Sequence, residues 1–208
     1  MTKHNIEPVY NQDSRILILG SFPSVKSREA KFFYHHPQNR FWKVLAALFQ
    51  EEVPQTIEQK KELLIKHHIA LWDVIESCEI KGSSDASITN VKVNDLDRIV
   101  KHCPIEMIIT NGKTAQRYYH RYFHYDMPVY SLPSTSPANA TYRLEQLIEK
   151  SKTDEDVKNL LSVVDILVDG KFILAQRSLE LHFKGSRNQR IIDCKKSLET
   201  GNVVIKEL

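Results

Sequence analysis

Cysteine and glycine are both scarce in this chain of 208 residues, with three of the former and six of the latter. Cys78, Cys103 and Cys194 are odd in number, far apart and without a CxxC pair, which speaks for reduced thiols and against a disulfide framework or a thiolate metal site. Long apolar runs are missing as well. None approaches the ~18 residues that cross a bilayer, and the opening MTKHNIEPVYNQDS has no apolar core of a signal peptide. A cytoplasmic protein without a membrane segment is expected. Neither sign of charge dominates, with 29 Lys and Arg against 26 Asp and Glu and a net charge of +3. That balance is compatible with nucleic acid but becomes an argument only where basic groups cluster.

Several catalytic signatures are also absent. Gly112-Lys113-Thr114 has the end of a phosphate-binding loop, but Met107 stands where the loop's first glycine belongs. No GxSxG surrounds the serines between Leu132 and Asn139, which excludes an esterase-type nucleophile elbow. His35-His36 and His67-His68 are adjacent pairs rather than two ligands on one helix face, so neither a metal nor another cofactor is expected.

What is present begins with Arg15 to Leu48. The apolar run Ile16 to Leu19 ends at Gly20 and predicts a buried strand. A polar, aromatic loop follows, holding Ser21, Phe22, Tyr34, His35, His36 and Asn39, and a helix starts at Phe41 and runs to about Gln50. The pattern recurs. Thr56 to His67 has helical spacing, Ile69 to Ile75 reads as a strand or extended piece, and the turn-rich stretch Glu79 to Asn94 reads as a long loop. Asn94 or Asp95 then caps a helix from Leu96 to Cys103. Glu106 to Thr110 is a strand ending at Asn111-Gly112, Lys113 to Phe123 a helix, Pro128 to Leu132 a strand, and Thr141 to Lys150 a helix. Strand, polar loop and helix in repetition predict a three-layer α/β/α domain with a central, mostly parallel four-stranded sheet. The loops after Leu19, Thr110 and Leu132 would then meet at one carboxyl edge, where such sheets bind ligands.

That edge carries neutral polar groups (Asn39, Asn111, Ser134, Ser136, Asn139) and no evident nucleophile. Such a set suits a reaction with a cationic transition state that needs positioning more than covalent help, of which hydrolysis of a base–sugar bond is one. A non-catalytic nucleic-acid-binding module remains open on these residue types alone.

At these residues the chain resembles a known family. Gly20-Ser21-Phe22-Pro23-Ser24 with Tyr34-His35-His36-Pro37-Gln38-Asn39-Arg40-Phe41-Trp42 is similar to the first motif of the uracil-DNA glycosylase superfamily, and Leu132-Pro133-Ser134-Thr135-Ser136-Pro137-Ala138-Asn139 to its second. Within it, the hypoxanthine (deoxyinosine) DNA glycosylases look nearest. The mismatch glycosylases carry their water-holding Asn where this chain has Phe22, so the resemblance moves that role to Asn39. It further implies base flipping into a pocket, with Ser21, Phe22, Tyr34, Phe41 and Asn111 around the base and Phe22, Tyr34 or Phe41 stacking on it. Ser134, Thr135 and Ser136 would meet the DNA backbone, and Pro137-Ala138-Asn139 would approach the emptied stack. The implied partner is DNA containing deaminated bases, bound by a monomer. A uracil/thymine mismatch activity is the alternative within the family.

The resemblance spans about residues 10 to 150, and residues 1–152 are expected to form the glycosylase-like domain. Residues 153–208 read as an appendage: a charged start, a weakly helical Val157 to Val164, and a hairpin over Asp165 to Ile173 turning at Asp169-Gly170. Asp165 to Phe172 with Phe183 to Asp193 resembles the C-terminal end of the anaerobic ribonucleotide reductase activating proteins. Their three-cysteine cluster motif is absent here, so no radical chemistry is expected.

Overall fold

The computed structural model describes residues 1–153, 166–169, 176, 186–200 and 204–206. In chain order the first elements are β1 (Thr2–Lys3), β2 (Ile16–Gly20), α1 (Val25–Glu29), α2 (Phe41–Phe49), α3 (Ile57–Lys66), β3 (Ile69–Asp73) and β4 (Ile75–Glu79). A 3₁₀ turn (Asp85–Ser87), β5 (Thr89–Val93), α4 (Asp97–Val100), β6 (Met107–Asn111), α5 (Lys113–Tyr122), β7 (Val129–Leu132) and α6 (Leu144–Thr153) follow. The chain divides into two compact units, one of residues 1–45 with 53–147 and the other of 46–52 with 148–208.

The first unit is built on a four-stranded sheet in the order β3-β2-β6-β7, parallel at every pairing. Strands covered on both faces need apolar residues at every position, and β2 and β3 are buried throughout. Leu17, Leu19, Leu71 and Ile108 are fully enclosed, each contributing about 1.5–3 kcal/mol relative to an exposed side chain. Helices flank the sheet, α3 against β3 and α5 against β6 and β7, so the expected α/β/α layering holds. Thr56 and Gln59 form a capping box at the start of α3, and Leu63 and Leu64 face inward. On α5 the inward residues are Ala115, Tyr118 and Tyr119. Register places Gly20 beside Asp73, Leu19 beside Thr110 and Asn111 beside Leu132. The ends of all four strands therefore form one edge.

Several segments differ from the sequence expectation. The long loop over 79–94 is shorter than predicted, because Thr89–Val93 is a strand pairing antiparallel with β4 through two register shifts. With β1 these make a second sheet, β1-β4-β5. The predicted helix over 96–103 is a single turn, Asp97–Val100. Asp95 Oδ1 accepts from the Asp97 N–H (3.2 Å), whereas Asn94 is buried and donates to the Asp73 carbonyl (2.9 Å). The helix expected from Thr141 begins at Leu144.

In the second unit, β8 (Ile166–Asp169) pairs antiparallel with β9 (Arg190–Asp193), and α7 (Cys194–Thr200) follows. The described strand at 166–169 thus pairs with a segment some twenty residues downstream. The predicted turn at Asp169-Gly170 and the helix at 157–164 lie outside the described residues.

Candidate active site

A cavity of about 520 Å³ opens at the carboxyl edge, within the ~300–1,000 Å³ usual for small-molecule sites. Its wall is made by the loop after β2, the end of β3, the turn at 83–86, the end of β6 and the loop after β7. Ser21, Phe22, Tyr34, Asn39, Asn111, Ser134, Ser136, Pro137, Ala138 and Asn139 all line it. Phe41 and Thr135 do not. Phe41 is buried behind Tyr34, the two rings stacked at 4.0 Å, and Trp42 packs in the same layer against Phe32. Phe41 therefore backs the wall and is not placed to meet a base, and Thr135 faces inward for reasons given below.

The loop after β2 is shaped by its own hydroxyls. Ser24 caps α1 by accepting from the Ser27 N–H (3.2 Å), and Ser27 Oγ accepts from the His35 N–H (3.1 Å). Tyr34 sits at φ 49°, a left-handed conformation that is costly for an aromatic residue and typical of functional loops.

Asn39, Asn111 and Thr135 form one hydrogen-bonded chain across three loops. Asn111 Nδ2 donates to Thr135 Oγ1 (3.0 Å), and Thr135 Oγ1 donates to Asn39 Oδ1 (3.1 Å). The Phe41 N–H, at the start of α2, also donates to Asn39 Oδ1 (3.0 Å), and the Thr135 N–H returns to Asn111 Oδ1 (3.0 Å). A backbone N–H can only donate, so the amide oxygen of Asn39 is fixed toward α2 and its NH₂ is the group left for the cavity. Thr135 is buried and spends its hydroxyl on this chain. It aligns the two asparagines from beneath; its side chain is not presented to DNA.

Arg40 holds the loop after β7. Its backbone N–H and Nε both donate to the Thr135 carbonyl (3.1 and 3.2 Å), while Nη2 reaches the carbonyls of Ser136 (2.6 Å) and Asn139 (3.0 Å). Nη1 donates to the Tyr142 carbonyl. The loop reinforces itself: Ser134 Oγ accepts from the Ser136 N–H, Ser136 Oγ from the Ala138 N–H, and Asn139 Nδ2 donates to the Ser134 carbonyl. Pro137 and Ala138 are left exposed at the tip. Gly112 makes room for this loop. At φ 102°, a Cβ added there would lie 2.8 Å from Ser134 Cβ.

Two carboxyl groups complete the wall. Asp73 is 3% exposed, and burial, reinforced by the Asp85 carboxylate, pushes it up to about 8. Asp85 is raised by burial too, opposed by hydrogen bonds from Ser21 (2.8 Å) and Thr114 and by Arg117. The Tyr34 ring is half-buried but its hydroxyl is shielded from solvent, and burial beside Asp73 drives that phenol far above its usual range. Neither Asp73 nor Arg40 announces itself in the sequence. The only signal for Asp73 is a single acid closing the apolar run Ile69-Ala70-Leu71-Trp72.

Comparisons with known proteins bear on the family and the fold. The family model described as the uracil DNA glycosylase superfamily matches residues 7–161. Hypoxanthine DNA glycosylase of Methanosarcina acetivorans is 33% identical over 146 residues, 68% of this chain and 91% of that protein. Its namesake in Methanosarcina barkeri is 31% identical over 120 residues, 57% and 76% of the two chains. The solution NMR structure of a candidate uracil DNA glycosylase from Methanosarcina acetivorans is 29% identical and superposes with a TM-score of 0.64, covering 73% of this chain and 95% of that one. A second family model, a 4Fe-4S single cluster domain, matches residues 135–192, consistent with the tail's own resemblance. The residues do not fit a cluster, which is held by several thiolates. No cysteine lies in that span, and no group of three His, Cys, Asp or Glu among the described residues could hold a metal.

Proposed function

Since the chain belongs to the uracil DNA glycosylase superfamily, we propose that it is the DNA glycosylase its two curated relatives are named for, one that hydrolyses the base–sugar bond of deoxyinosine and releases hypoxanthine. The observation that carries this reading is the cavity itself, in which Asn39, Asn111 and the Ser134–Asn139 loop converge from three separate segments of the chain. A base flipped out of the duplex, at an unstacking cost of a few kcal/mol, enters between Tyr34 and Phe22. The Ser134 and Ser136 hydroxyls, which accept bonds within the loop and keep an O–H to donate, hold the flanking phosphates, and the exposed Pro137-Ala138 tip stands toward the gap. Asn39 positions the attacking water through its NH₂. Among the described residues no lysine lines the cavity, so no Schiff base forms and the product is an abasic site in an uncut strand. Residues 1–152 carry the activity. The test is direct: incubate the protein with duplexes containing inosine or uracil and look for alkali-labile abasic sites. Release from inosine is expected; release from uracil alone, or from neither, overturns the reading.

A further inference from the structure

Asp73 has no part in the water-positioning network, yet it is the most enclosed ionisable group of the cavity wall. Register sets it beside Gly20, and a Cβ on Gly20 would lie 2.2 Å from Asp73 Oδ1 and 2.8 Å from the Tyr34 hydroxyl. The absent side chain is what gives these two groups their space. Asp73 Oδ2 is buried without a hydrogen-bond partner, and the buried Tyr34 hydroxyl beside it faces Asp73 and Asn111. Native proteins seldom leave such atoms unmatched; at a cavity wall they are matched by what binds. The groups facing Asp73 supply no cation. Asp85 approaches from the turn at 85–87 and Tyr34 from the loop after β2, and Arg117 bears on Asp85. His4, set edge-on against Phe22 and bonded to the Ile75 carbonyl, is itself lowered by burial. An ionised carboxylate in this setting is disfavoured, and a carboxylic acid with a proton to donate is favoured.

Resting on the reading of this cavity as a hypoxanthine site, we propose that Asp73 is the catalytic acid that protonates the departing purine at N7. The C1′–N9 bond breaks with its electron pair leaving on the base, and the Asp73 proton passes to N7. The water held by Asn39 adds its oxygen to C1′ and loses one proton to solvent, which then restores the proton on Asp73. A purine offers a basic ring nitrogen conjugated with the breaking bond. Uracil has no equivalent of N7, and an acid placed for N7 gives it no help.

The experiment combines one substitution with one atom removed from the substrate, using the full chain in single-turnover conditions. Wild type acting on inosine-containing duplex should lose rate as pH rises through about 8. Asp73→Asn, which keeps shape and hydrogen bonding without an acidic proton, should be slower by roughly 10²-fold or more and lack that descent. 7-Deazainosine in the same duplex should slow wild type by a similar factor, and Asp73→Asn should slow it no further. A wild-type protein inactive on inosine sinks the functional reading and this role with it. An active wild type whose rate does not fall at alkaline pH overturns the role of Asp73 alone. So does an Asp73→Asn rate equal to wild type, or a substitution and a deaza effect that multiply. The wild-type pH profile and the deaza substrate decide the matter even where Asp73→Asn folds poorly.

Discussion

Removing the Arg40 guanidinium should unhinge the loop that carries half of the site. It makes charge-assisted bonds to the carbonyls of Thr135, Ser136, Asn139 and Tyr142, spanning the whole Ser134–Tyr142 segment. A bond to a charged group is worth about 1.5–3 kcal/mol, but four bonds from one half-buried side chain do not add, since solvent and loop relaxation recover part of the loss. A net loss of about 3 kcal/mol is reasonable for Arg40→Ala. At ~2–4 °C per kcal/mol for a chain of this size, melting should fall by about 6–12 °C. Arg40→Lys keeps the charge but not the planar fork, and one ammonium cannot reach four carbonyls, so it should recover less than half of that. The functional consequence is larger than the thermal one. Thr135 orients Asn39 only while the loop stands where Arg40 holds it, and misplacement by about 1 Å can lower a rate by roughly 10²-fold. Calorimetry and single-turnover release from inosine-containing duplex, both on folded protein below the transition, check the two halves. An Arg40→Ala protein that melts within about 2 °C of wild type and reacts at its rate would refute the reasoning.

Three further outcomes are expected. Asn39→Ala should lower the single-turnover rate by roughly 10²-fold with DNA affinity in gel shifts nearly unchanged, because phosphate contacts dominate affinity; a near-wild-type rate in folded protein reduces Asn39 to a helix-start contact. Asp73 titrates near 8 when folded, against an ordinary 3.8, so the folded chain keeps a proton that the unfolded chain releases. Stability should therefore fall as pH rises between those values, with a slope of at most about 1.4 kcal/mol per pH unit from this group, and denaturant titrations of Asp73→Asn should show that slope removed. A chain ending at Lys152 should keep base release, since every residue of the cavity wall precedes it. It should also melt lower, because residues 46–52 share a unit with 148–208; folded but inactive truncated protein would make the tail part of the active unit.

The legible parts of the fold are those whose cause is local. β2 is a short, unbroken apolar run closed by Gly20, as a parallel strand buried on both faces has to be, and β6 and the half-buried edge strand β7 are marked by shorter apolar stretches closed by Asn111-Gly112 and Pro133. β5 is not legible, since Thr89-Asn90-Val91-Lys92-Val93 lies half in solvent and is made a strand by β4 rather than by its own residues. The same division runs through the site. Asn39 and Asn111 stand in motifs that sequence can point to. The bond that orients Asn39 comes from Thr135, 96 residues away, and the isolation of Asp73 depends on Gly20 across a strand pair. Burial of a single acid at the end of an apolar run leaves no periodic trace.

The orientation of Asn39 also bears on how much chemistry that residue can do. Its oxygen already accepts from the Phe41 N–H and the Thr135 hydroxyl, which uses both lone pairs. What remains for a water is an N–H donor, and a donor holds the water's oxygen without drawing off a proton. Such a group supplies position, not basicity. Positioning a neutral water suffices when the sugar is already well on its way to a cation, and that depends on how readily the base departs. The rate must then be governed at the other end of the breaking bond. The wall residue with a proton to give there is Asp73, at the end of β3 rather than in the loop before α2, and outside the hydrogen-bonded chain of Asn39. The two roles are thus separable. Asn39→Ala should slow inosine and 7-deazainosine by the same factor, while Asp73→Asn should slow inosine alone. An Asn39→Ala defect that vanished on the deaza substrate would place both residues at the leaving group, and the water would need another holder.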